Sequence, residues 1–162
     1  MLGRDASLAL SYPRIQVVDA LASVEHYRRA RAIQNEAFGM PASLDDVGDR
    51  WTQAKEDPTL LCLLALYDGE PAGAANAVML DEGCVLAGGA TREAMRGRGV
   101  FRALVAERWR RALDAGAAGV VVHAGRMSAP ILRGLGFDTA AELPVYRDEG
   151  TAAGQAQTIR RA

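Results

Sequence analysis

The residues best placed to do chemistry lie between Ala87 and Val105. Arg96, Arg98 and Arg102, with Arg92 just upstream, surround Gly97 and Gly99. An apolar strand-like run precedes this turn and an amphipathic helix starts at Val100. Glycines at two positions give the backbone conformations closed to other residues and allow close approach of a ligand. The first turn of a helix has N–H groups without partners and carries the positive end of the dipole. Strand, glycine turn and helix start together make an anion site, most often for phosphate. The turn lacks the Gly-Lys-Ser/Thr ending of an NTPase loop. Arg102 occupies the third glycine position of a dinucleotide fingerprint, so that reading fails too.

Other residues able to do chemistry are scattered. His123 ends an apolar run and reads either as a packed histidine or as a proton carrier. Glu36, beside Asn35, lies late in a predicted helix and reads either as a solvated face or as part of a pocket. Ser128 reads first as a helix cap, with a ligand contact as the other reading. Cys62 and Cys84 fall inside apolar runs, as buried thiols do, and suggest neither a disulfide nor a metal pair. No metal site is expected.

These groups must be positioned by the elements around them. Arg14 to Asp19 predicts a first strand, after a loose lead from Met1 to Pro13. Ser23 to Phe38 predicts a helix with Tyr27, Ala30, Ile33 and Phe38 near one face. Ser43 is the expected cap of a second helix running through Trp51 toward Lys55. Thr59–Tyr67, Ala72–Leu80 and Cys84–Thr91 are three apolar runs joined by short turns, which reads as an antiparallel meander. Phe101, Leu104, Val105, Trp109, Ala112 and Leu113 follow helical spacing, so Val100 to Ala115 is a helix stopped by Gly116. Gly119 to His123 is a short buried strand. It closes a parallel β-α-β crossover with the strand at 84–91. A short helix capped by Ser128, with Pro130 in its first turn, ends at Gly136. Phe137 to Arg147 is expected to supply the last strand or pair of strands. The expected fold is an α/β (α+β) mixed sheet: an antiparallel meander feeding one parallel pair, with helices on both faces. Residues 1–148 form one domain and 149–162 a polar tail.

A chain of 162 residues can bury a single sizeable core. Its formal net charge of -1 argues against a general nucleic-acid binder. No apolar run is long enough for a membrane span, and Met1 to Ile15 lacks the features of a signal peptide. The expected compartment is the cytoplasm.

The run Arg96-Gly97-Arg98-Gly99-Val100 resembles the pyrophosphate-binding motif of the GNAT N-acetyltransferases: Gln or Arg, two residues, Gly, one residue, then Gly or Ala. Phe101 departs from it, standing where Gly or Ala is usual. Gly125 to Phe137, ending in Leu135-Gly136-Phe137, resembles the family's short late helix. The likeness covers about Thr59 to Phe137. It implies an acyl-CoA-dependent N-acyltransferase, with acetyl-CoA (or CoA) as cosubstrate and a small-molecule or peptide amine as acceptor. It also implies that strands 84–91 and 119–123 splay apart and that the pantetheine arm lies between them, pairing with backbone around Gly89 and Thr91. A bulge at Gly88-Gly89 is the other reading of those glycines, compatible with the first. Arg96, Gly97, Arg98, Gly99, Val100, Phe101 and Arg102 would hold the pyrophosphate, with Ser128 nearby. The first helix, with Glu36, would help form the acceptor pocket. Many family members carry a tyrosine acid in the late helix, and Leu132 occupies that place here. A catalytically silent CoA-binding module is therefore the alternative, and a homodimer is left open.

Overall fold

The computed structural model describes residues 1–3 and 12–142. A six-stranded sheet runs in the order β1-β6-β5-β4-β3-β2. Its strands are β1 (Leu2–Gly3), β2 (Ile15–Asp19), β3 (Leu60–Tyr67), β4 (Glu70–Met79), β5 (Cys84–Thr91) and β6 (Gly119–Val122). The β5/β6 pair is parallel and every other pair antiparallel. The meander and the single parallel crossover expected from the sequence are both present.

β3 is a continuous apolar run because both of its faces are covered, as buried strands require. Leu61, Leu63 and Ala65 join the core under α3 (Val100–Asp114), with Leu104, Val105 and Trp109. Cys62 and Leu64 face the other way, into a second core with Tyr27, Ala30 and Ile33 of α1 (Val24–Phe38) and Ala54 of α2 (Val47–Glu56). β4 is built from small residues, Ala72 through Ala75 and Ala77, all buried, so helices can approach it closely from both sides. Gly73 marks the tightest approach. A Cβ there would lie 2.6 Å from Val100 Cγ1 and 2.9 Å from the Ala90 carbonyl oxygen.

Caps set the helix boundaries. The Ser23 hydroxyl accepts from the His26 N–H at 3.1 Å, and Gly39 at φ 65° closes α1. Gly116, at φ 86°, follows α3. Gly136, at φ 89°, ends the turn that follows α4 (Ala129–Arg133): the Phe137 N–H donates to Leu132 O and the Gly136 N–H to Arg133 O. β3 and β4 join through a tight turn with Asp68 and Gly69 both at positive φ.

Several expectations are corrected. The lead is not loose throughout: Leu2–Gly3 pairs with Gly119–Val120, and Met1 exchanges main-chain hydrogen bonds with Asp138. The expected last strand is absent from 137–142, because Asp138 bonds Met1 and the adjoining edge of β6 is taken by β1; residues 143–147 lie outside the described residues, as do Tyr146 and the tail at 149–162. Ser43 does not cap α2. Its hydroxyl makes a local turn with Asp45, and the helix starts later, behind Asp46. Phe38 is 54% exposed rather than on the packed face. It is the last helical residue, one turn beyond the buried stretch Ile33 to Asn35.

Gly73→Ala should destabilise the protein by about 1–3 kcal/mol, because the added methyl meets a backbone carbonyl that cannot rotate away. Urea unfolding monitored by circular dichroism measures this. An unchanged midpoint would contradict the close approach of α3 to β4.

Candidate functional site

β5 and β6 pair only at Cys84 with Val120, Val85 with Val121 and Leu86 with Val122. β5 continues to Thr91 while β6 stops, so the strands part after Leu86. On its other side β5 stays paired with β4: Ala87 opposes Asn76, Ala90 opposes Ala74 and Thr91 opposes Gly73. Gly88 and Gly89 therefore face the single residue Ala75. This is a β-bulge, and it bends the strand where the gap opens.

Two buried polar side chains grip the bulge from opposite faces. From α1, Gln34 Nε2 donates to the Gly88 carbonyl at 2.8 Å. From α3, Arg108 Nη1 donates to Asn76 O at 3.1 Å and to Ala87 O at 3.3 Å. Gly88 sits at φ 56°, and a Cβ on it would lie 2.8 Å from Gln34 Nε2. A Cβ on Gly89 would lie 3.0 Å from Phe101 Cε2. Phe101 thus packs beneath the strand, as its helical spacing predicted. Burial pushes the Arg108 guanidinium down to about 10, which leaves it charged at neutral pH.

A short 3-10 turn, Glu93–Met95, leads from β5 to the glycine turn. Gly97 and Gly99 have φ 75° and 86°, so both need glycine. The first α3 bond runs from the Ala103 N–H to Gly99 O at 2.9 Å. The N–H groups of Val100, Phe101 and Arg102 therefore have no carbonyl one turn behind them. Space beside Gly97 is open, whereas a Cβ on Gly99 would lie 2.5 Å from Tyr12 Cε1. The Tyr12 ring thus packs against the turn at Gly99. Arg98 lies over the Tyr67 ring at 5.3 Å, and Arg14, paired with Asp68, lies over the same ring at 4.6 Å. Arg96 approaches Glu93 at 3.7 Å and keeps half of its side chain in solvent. The Arg102 guanidinium reaches toward the end of α4, 3.8 Å from where a Gly134 Cβ would be. Open amides, a dipole and exposed arginines fit a pyrophosphate.

Beyond Thr91 lies a cleft of about 160 Å³, lined by Ile33, Glu36, Thr91, Arg92, Glu93 and Arg96. Glu36 Oε2 is 3.8 Å from Arg92 Nε. The Thr91 hydroxyl and Arg92 Nε are buried without hydrogen-bond partners among the described residues. The structure therefore brings Glu36, Thr91 and Arg96 around one space. His123 stands apart from them, exposed, one residue past β6 at the mouth of the gap. Ser128 holds the position before α4 but does not cap it: its backbone is already helical, and its hydroxyl donates to Gly125 O at 3.3 Å. Leu132 is 2% exposed, inside the core.

Sequence reading missed Arg108, Gln34 and Tyr12. Arg108 had a signal. It falls on the apolar stripe of α3 between Leu104 and Ala112, where a charged residue needs a reason. Tyr12 had none.

Residues 27–137, more than half of the chain, match the model of the Acetyltransferase (GNAT) family. No curated protein matches in sequence. Among solved structures the chain is similar to the aminoglycoside acetyltransferase AAC(6')-Iy in complex with a bisubstrate analog, at TM-score 0.68 and 20% identity, covering 83% of this chain and 98% of that one. It is also similar to a putative acetyltransferase from Agrobacterium tumefaciens, at TM-score 0.70 and 19% identity over 82% and 99%. A third is glucosamine-6-phosphate N-acetyltransferase from Arabidopsis thaliana, at 0.66 and 11% over 83% and 99%. At these identities the structures speak for the fold. The family match over the strands, glycine turn and late helix settles the rest: the chain belongs to the acetyltransferase (GNAT) family, enzymes whose acetyl donor is acetyl-CoA.

Proposed function

We propose that the chain transfers an acetyl group from acetyl-CoA to a small-molecule amine by direct attack. One observation carries this reading. β5 loses its partner after Leu86 and leads, through a clamped bulge and a short 3-10 turn, into a glycine turn at the start of α3. A molecule with an amide-bearing arm and a pyrophosphate fits that sequence of features. The arm would pair with the free edge of β5 around Gly89 and Thr91 as an added strand. The pyrophosphate would rest on the turn from Arg96 to Arg102.

In that placement the thioester lies in the gap, where strand amides polarise its carbonyl. The amine nitrogen bonds to the carbonyl carbon, the C–S bond breaks and its pair goes to sulfur. The proton left on the new amide nitrogen passes to the departing thiolate, directly or through water. Holding the two reactants together supplies most of the acceleration. Glu36, in the cleft beyond Thr91, would attract the cationic amine, and His123, at the mouth of the gap, would take the ammonium proton first, freeing the lone pair that attacks. Neither cysteine acts as a nucleophile. Both are buried, and burial pushes the Cys62 thiol up to about 11. Two of the similar structures carry amine-modifying names, an aminoglycoside acetyltransferase and a glucosamine-6-phosphate N-acetyltransferase, which supports a small amine as acceptor. The modest cleft volume agrees.

Incubating the protein with acetyl-CoA and a panel of amines tests the reading. One amine should gain the mass of an acetyl group as free thiol appears, and release of thiol without an acetylated amine would overturn it. His123→Ala should lower kcat by about ten- to hundredfold, and Glu36→Gln should mainly raise KM for the amine. Replacing Tyr12, Tyr27, Tyr67 or Tyr146 with Phe should leave most activity, since Leu132 stands where a tyrosine acid would be. Loss of turnover in Tyr146→Phe with binding intact would reassign the acid.

The turn makes a separate prediction. Gly97→Glu places a carboxylate in open space beside the helix start and should weaken acetyl-CoA binding by about tenfold or more. Wild-type affinity should also fall as salt rises from low ionic strength, because Arg96 and Arg98 are exposed and screened over about 10 Å at 0.1 M. Calorimetry reads both. Equal affinity in the variant and a flat salt response would move the phosphate elsewhere.

A further inference from the structure

Arg108 is the largest fully buried side chain among the described residues, 2% exposed, on the face of α3 that packs beneath the bulge. Its Nε donates to Leu104 O at 3.0 Å, and its Nη1 holds Asn76 O and Ala87 O. Its Nη2 lies 3.6 Å from where a Cβ on Gly89 would be. Every acceptor is a neutral carbonyl. Among the described residues no carboxylate pairs with it, and the one titratable neighbour that acts on it is the Cys84 thiol of β5, kept neutral by its own burial. Gln34, gripping the bulge from α1, is uncharged. Glu107, next to it on α3, is taken by Arg110 and Arg111. A buried cation without a counter-ion is costly, and a neutral donor would serve if gripping two carbonyls were the whole task.

We propose that Arg108 is an electrostatic positioning residue for acetyl transfer: it fixes the Gly88-Gly89 bulge, and its uncompensated charge steadies the negative charge that forms in the gap. The inference rests on the reading that the thioester lies there. As the amine nitrogen bonds to the carbonyl carbon, negative charge builds on the carbonyl oxygen. When the C–S bond breaks, the pair and the charge pass to sulfur. Inside a low-dielectric site a fixed positive charge acts on both stages without having to reorganise. It does part of the work of an acid that donates to the leaving sulfur, at a site where Leu132 has no proton to give.

The test uses CoA itself, whose bound thiol is titrated by thiolate absorbance on the whole protein. In the wild type the bound thiol should ionise at lower pH than free CoA. Arg108→Met should move that midpoint up by about one pH unit, a tenfold change in proton affinity. Arg108→Gln, which keeps a donor for the same carbonyls and loses the charge, should lose the shift as Arg108→Met does. Turnover should follow: kcat down by about tenfold or more in Arg108→Met, with CoA affinity changed by less than about threefold. A wild-type bound thiol that titrates like free CoA would overturn the proposal without any variant, as would a folded Arg108→Met protein that keeps the shift. If Arg108→Met does not fold, the wild-type midpoint and the Gln variant decide, and a Gln variant that keeps the shift overturns the proposal. Absence of CoA binding in calorimetry would instead remove the donor site, and this proposal with it.

Discussion

The parting of β5 from β6 after Leu86 is the constraint on which the site depends. A parallel pair that stayed zipped to Thr91 would satisfy its own backbone and leave nothing for a ligand to pair with. An open strand edge inside a fold is a liability, because its N–H and C=O groups invite any partner. Here the edge is held in one shape. The bulge at Gly88-Gly89 bends it, Gln34 and Arg108 take its carbonyls from either side, and Phe101 packs against Gly89. The same strand runs into the glycine turn, so the spacing between the free edge and the anion site is set by one stretch of backbone.

The two halves of the proposed site have different physical character. The donor half is mostly main chain: amides at the start of α3, left-handed glycines and a free strand edge. Main-chain groups tolerate changes of side chain, which is why Phe101 can stand in the motif without spoiling the turn. The acceptor half is side chain and mixed in charge, with Glu36 and Glu93 against Arg92 and Arg96 around one small cleft. The Thr91 hydroxyl and Arg92 Nε beside it are buried without hydrogen-bond partners among the described residues.

Much of this was legible in the residues themselves. Apolar runs separated by Asp68-Gly69 and by 81–83 gave the meander, and the α3 stripe with its terminal Gly116 gave the crossover helix. The glycine turn was readable because its geometry demands glycine. What was not legible involved groups whose role is independent of side-chain type. Leu2–Gly3 is a two-residue strand, too short for any periodicity to announce it. Ser43 and Ser128 have the right residue type for caps but the wrong local backbone, and type alone cannot reveal that. Tyr12 meets Gly99 only because β2 starts at the same end of the sheet where β5 finishes, a tertiary fact. Arg108 was legible in principle, as a charge on an apolar stripe.

The central claim is that one continuous stretch, from Gly89 through Arg102, receives the acetyl donor on its backbone. Amide resonances of the isotope-labelled protein, followed while CoA is added, test it most directly. The account predicts the largest changes at Gly89, Ala90, Thr91, Gly97, Gly99, Val100, Phe101 and Arg102, with α2 unaffected. Changes confined to α2 and the first turn of α1, with the glycine turn silent, would contradict it.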